Sequence, residues 1–73
     1  MRKKPLHNIK ISGLDNKGER LLRMYLHELG CLDPDDENIM KSILKPDLKK
    51  ITTFVKLLGG EVEILETWNV ETF

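Results

Sequence analysis

One cysteine, one tryptophan, one tyrosine and two phenylalanines are all that the 73 residues hold of these types. With Cys31 alone, no intramolecular disulfide can form, and no set of cysteines exists to build a structural zinc site, which suits a reducing cytosol. Uninterrupted apolar runs last only a few residues, too short for a membrane-crossing helix. After Arg2, Lys3 and Lys4 come Pro5, His7, Asn8 and Lys10, where a signal peptide needs an apolar stretch. The expectation is a soluble cytoplasmic protein with no membrane association. Glycine-rich phosphate loops are missing too, because Gly13 and Gly18 fit neither nucleotide-binding pattern.

An excess of one charge is also lacking, since 12 Lys and Arg balance 12 Asp and Glu, and a neutral chain is not a strong, non-specific polyanion binder. The distribution along the chain says more. Residues 1–10 carry four positive charges and 33–37 four negative ones; 41–56 carry five lysines against Asp47, and 61–73 carry four glutamates. Such blocks can complement each other inside one fold or across a dimer.

Linkers, repeats and low-complexity tracts are absent, so residues 1–73 read as a single domain, with 1–5 and 69–73 expected to be flexible. A chain this short buries only about 60% of its unfolded surface. His7, Ile9 and Ile11 alternate with Asn8, Lys10 and Ser12, which predicts a strand over 7–12 ended by Gly13. Asn16, with Glu19 three residues on, resembles a capping box for a helix whose apolar face is Leu21, Leu22, Tyr25, Leu26 and Leu29 and whose cap is Gly30.

Asp33-Pro34-Asp35-Asp36 has the composition of a helix start, which predicts a second helix to about Leu44, burying Ile39, Met40, Ile43 and Leu44. Pro46 then opens a third helix that Gly59 and Gly60 close. Val62, Ile64 and Trp68 alternating with Glu61, Glu63 and Thr67 predict a second strand over 61–68, on which Glu61 or Glu63 could face Lys10. The expected fold is α+β, strand-helix-helix-helix-strand, with two short strands packed on three helices. A two-stranded sheet is marginal alone, and strands that are not neighbours within one chain would invite a homodimer through strand pairing.

Few residues here suggest chemistry. His7, His27 and Cys31 are the soft metal-ligand types, and they are too few for a zinc site, so no metal and no other cofactor is expected. Asp33 to Asn38 superficially resembles a calcium loop, but it has Asn38 where the turn needs glycine and Leu44 where the bidentate glutamate belongs. Ser12, Ser42 and Cys31 have no base partner evident from spacing, which argues against an enzyme. The strongest functional lead is the third helix. Lys45, Lys49, Thr52, Thr53 and Lys56 recur on one side and Leu48, Ile51, Phe54, Val55 and Leu58 on the other, so a basic outer face backs onto the core. Lysines beside short hydroxyl side chains form a mixture that contacts phosphates. Arg20, Arg23 and the Arg2-Lys3-Lys4 segment would extend that footprint if they share its side, while Glu61, Glu63 and Glu66 would have to point away.

The run Lys45 to Leu65, KPDLKKITTFVKLLGGEVEIL, resembles the end of Cro/repressor-type helix-turn-helix domains found in antitoxins. Leu48, Ile51, Val55, Leu58 and Gly59 fit that family's proline-led packing helix and closing Leu-Gly pair, and 61–65 its following strand, which the resemblance implies serves dimerisation. The match covers 45–65 only; the stretch between Gly30 and Lys45 is too short for the family's two DNA-binding helices. The expectation is a small non-enzymatic regulator, antitoxin-like or phage-type, binding DNA through Lys45, Lys49, Thr52, Thr53 and Lys56. Its rival is a protein-binding inhibitor or adaptor that uses Glu61, Glu63, Glu66 and Trp68 on the acidic C-terminal strand and tail. Apolar residues exposed near Trp68 and Phe73 would favour the rival.

Overall fold

A computed structural model describes residues 2–72 as β1 (Arg2–Ser12), α1 (Asn16–Leu29), β2 (Ile39–Leu44), α2 (Lys45–Leu57) and β3 (Glu61–Thr72). The three strands form one antiparallel sheet in the order β2-β1-β3. The expected arrangement of three helices and two strands is therefore corrected to β-α-β-α-β. The difference lies in residues 33–44, and two local causes produce it.

Asp35 does not cap a helix; its Oδ1 accepts the N–H groups of Glu37 and Ile39, each at 2.9 Å, and its carbonyl accepts the N–H of Asn38 at 2.9 Å. That closes a turn. Asn38, at φ 61°, takes the left-handed conformation that asparagine tolerates, and the chain leaves it extended. The second cause is a bulge. His7 pairs with Ile43 and Ile9 with Met40, so Lys41 and Ser42 together stand opposite Asn8. Met40 and Ile43, three residues apart, consequently face the same side and are both buried. A spacing of three inside an apolar segment imitates a helix, and here it belongs to a bulged strand.

Both outer strands are longer than their sequence pattern suggests. β1 begins at Arg2 and β3 continues to Thr72, with residues 2–5 paired to 69–72. Pro5 is admissible there because β2 reaches only as far as Leu6, leaving no ladder on that side of Pro5 for its missing N–H to serve. This ribbon extends past the helices and stretches the molecule to 42 × 23 × 21 Å. The strand-pairing route to a dimer assumed that the first and last strands are not neighbours, whereas β1 and β3 pair along the whole of β1.

Helix α1 is capped by Asp15, one residue before the expected Asn16; the Asp15 carboxylate accepts the Gly18 N–H at 2.7 Å. Gly30 closes it at φ 79°, as its place in the sequence suggested. Helix α2 follows β2 with no loop, with Pro46 in its first turn and a turn through Leu58 and Gly59 at its end. Both helices cover the same sheet face. Ile9 and Ile11 of β1, Met40 and Ile43 of β2, Leu22 and Leu26 of α1, and Ile51 and Val55 of α2 form the buried core. Each such side chain contributes about 1.5–3 kcal/mol on burial.

Candidate functional site

The lysine stripe lies where periodicity put it. Lys45, Lys49, Thr53 and Lys56 are exposed on α2, Thr52 is half-buried, and Lys50, outside the expected set, is exposed beside them. Lys49, Lys50 and Thr53 border a shallow groove of about 310 Å³ completed by Tyr25, Phe54 and Leu57. The Tyr25 and Phe54 rings stack at 4.3 Å and 9°, joining α1 to α2 beneath the lysines. Thr53 Oγ1 donates to the Lys49 carbonyl at 3.0 Å, so its proton is already engaged and the lysines are the principal donors.

The footprint gains less from other cations than the sequence suggested. Arg23 lies two residues, or about 200° of helical turn, from Tyr25, and it lines a small cavity with Pro34, Asn38 and Glu19 on the far side of α1. Lys3 and Lys4 stand opposite Glu71 and Val70 in the ribbon. Exposed Lys17 and Arg20 remain on the outer surface of α1. Among the described residues the sole ion pair within 4.0 Å is His27 to Asp33, at 3.0 Å between two well-exposed side chains, so no lysine of α2 is paired with an acid.

Glu61, Glu63 and Glu66 of β3 occupy the other side of the molecule. Leu6, Asn8, Lys10 and Ser12 alternate with the buried His7, Ile9 and Ile11, and therefore face away from the helices. Their partners across β3 are Trp68, Glu66, Glu63 and Glu61 respectively, which places all four on the helix-free face. Lys10 does face Glu63. Leu6 also pairs with Leu44 of β2, so Leu44, Leu6 and Trp68 make one apolar row across the sheet. Leu44 and Val70 are exposed, as is Leu65 at the β3 bulge. Phe73, the other residue singled out for this test, lies outside the described residues.

Charge is thus sorted by element: β1 and β2 hold five basic residues and no acid, and Asp15, Asp33, Asp35, Asp36 and Glu37 lie in the connections. The two helices hold seven basic residues against three acidic ones, and β3 holds four glutamates with no lysine or arginine. Each alternative centre considered from the sequence resolves into separate parts. His7 is buried in β1 with Nδ1 2.9 Å from Thr67 Oγ1 and Nε2 unpartnered, while His27 sits in the last turn of α1. Cys31 is half-buried, and burial, then the neighbouring Asp47 charge, pushes its thiol above the ordinary 9.0. Among the described residues no group of three or more His, Cys, Asp or Glu side chains could hold a metal, and no helix is long and apolar enough to cross a membrane.

Compared with family models, curated proteins and solved structures, the chain matches none. Residues 45–65 form a helix followed by the start of a strand, and the element directly before them is strand β2.

Proposed function

We propose that the protein is a non-enzymatic cytoplasmic regulator that binds duplex DNA through the outer face of α2. The observation that carries this reading is the sorting of charge. A neutral chain presents an attractive surface to a polyanion only if its acids are kept elsewhere, and Glu61, Glu63 and Glu66 stand on the opposite face of the sheet. Among the described residues Lys45, Lys49, Lys50 and Lys56 are free of acidic partners, and Lys17 and Arg20 add to the same helical layer. Ammonium groups on flexible stems meet phosphates as point charges and carry little base information, so the binding is sequence-tolerant. Four to six such contacts give a log–log salt slope of about −4 to −5.

The test is an anisotropy titration of labelled duplex DNA with Lys49→Ala beside the parent protein. Loss of that one phosphate contact reduces the salt slope by about one across all DNA sequences. An unchanged slope removes α2 from the interface.

The helix-free face supports a second reading, a protein-binding inhibitor or adaptor, because exposed Leu44 and Val70 share it with Glu61, Glu63 and Glu66.

A further inference from the structure

We infer that the free edge of β3 takes an extended basic segment of a partner protein as a fourth strand of the sheet. This rests on the protein-binding reading and is independent of DNA binding by α2. Among the described residues the outer side of β3 has no neighbouring strand in the order β2-β1-β3, so its outward N–H and C=O groups are open to a further strand.

Charge selects the occupant. β3 carries Glu61, Glu63, Glu66 and Glu71 and no cation, so pairing with the β3 of a second copy would set acid strand against acid strand. A lysine- or arginine-bearing strand reverses that sign. Apolar surface bordering the edge gives the second requirement. Trp68 ends the Leu44–Leu6–Trp68 row at this edge, and Ile64, which pairs with Ile9 on the helix side, is still 54% exposed. A fourth strand would cover apolar surface on both faces at once.

The bulge at Leu65 divides the edge into Glu61–Ile64 and the longer Glu66–Thr72, and it blunts non-specific pairing. A matching segment is therefore apolar beside Trp68 and Val70 and basic beside Glu66, Glu63 and Glu61, at alternate positions on either side of the bulge. Main-chain hydrogen bonds would supply affinity, and the alternation specificity.

Trp68 is the chain's single tryptophan, so its emission reports directly on this edge. The probes are a short peptide with valine at the positions opposite Trp68 and Val70 and lysine at those opposite Glu66, Glu63 and Glu61, the same peptide with glutamate for lysine, and the lysine peptide N-methylated at alternate backbone amides. The lysine peptide is expected to blue-shift Trp68 saturably, N-methylation to weaken it at least about ten-fold, and Glu63→Lys with Glu66→Lys to weaken it as much with unchanged circular dichroism. Equal binding of the lysine peptide and its N-methylated form overturns strand addition while leaving a cation-binding protein face in place. Equal binding of the glutamate peptide, or no binding of any peptide, overturns the protein-binding reading with it. A Trp68 shift on self-association, with a dimer in sedimentation, assigns the edge to a second copy and overturns the basic-partner proposal.

Discussion

Replacing Gly60 by alanine tests the packing on which the whole arrangement depends, because this residue lies where the end of β1, the end of α2 and the start of β3 meet. A Cβ there would fall 2.7 Å from the Ser12 carbonyl oxygen, 2.7 Å from Leu14 Cδ2 and 3.0 Å from Val55 Cγ1. Leu14 can rotate its methyl aside. The Ser12 carbonyl cannot, since Ser12 is held in register with Glu61, and Val55 is fully buried. Relief therefore requires backbone movement, and overpacking of this kind costs about 1–3 kcal/mol, here near the upper end. Gly30→Ala is the control. At φ 79° with nothing within 4 Å of its Cβ, it meets only left-handed strain, about 1 kcal/mol. Stability of this domain should be about 4–11 kcal/mol, and each kcal/mol is worth about 4–8 °C in Tm. Gly60→Ala should thus lower the thermal midpoint by roughly 12–24 °C, well beyond Gly30→Ala, and lower the urea midpoint with an unchanged m value. A Gly60 variant no less stable than the Gly30 variant would refute the close approach of β1, α2 and β3.

Asp15→Ala, which loses the bond to the Gly18 N–H, should cost about 1 kcal/mol in urea unfolding, whereas Asn16→Ala should cost much less. Equal costs would return the cap to Asn16. Asn8 accepts the Ser42 N–H at 3.1 Å and donates to Glu66 at 3.4 Å, holding the bulged strands on both its sides; Asn8→Ala should cost about 1 kcal/mol, and no measurable loss would deny that role. The Cys31 thiol is favoured protonated in the fold, so its stabilising contribution is complete below 9.0 and is lost as pH rises through the higher folded value. Cys31→Ala should therefore flatten the decline of stability above pH 9.0, and an unchanged decline would show the thiol to be unshifted.

Helices α1 and α2 were legible because apolar residues recur at helical spacing between strong punctuation, Gly30 at one end and Pro46 with Gly59 at the others. β2 was not. Its Asp33-Pro34-Asp35 approach has the composition of a helix start, and the extra residue at Lys41–Ser42 changes the spacing of Met40 and Ile43 from two to three. The ends of β1 and β3 were hidden by Pro5 and Asn69, which pair with each other where no third strand lies beside Pro5. The basic face of α2 follows from periodicity within one helix, so it was visible. The Leu44–Leu6–Trp68 row was not, because it joins three strands whose registers are set by two bulges, a long-range property that no window of sequence contains. The same limit applies to Arg23, which only tertiary packing separates from the lysine stripe.

The most direct measurement is the affinity of labelled duplex DNA at low and near-physiological salt for the parent protein, for Lys45→Ala, Lys49→Ala and Lys56→Ala, and for Lys10→Ala on the helix-free face. A binding curve with a log–log salt slope of about −4, reduced by about one in each α2 variant and unaltered by Lys10→Ala, is the expected result. No binding at either salt, or an equal loss from Lys10→Ala, would contradict it.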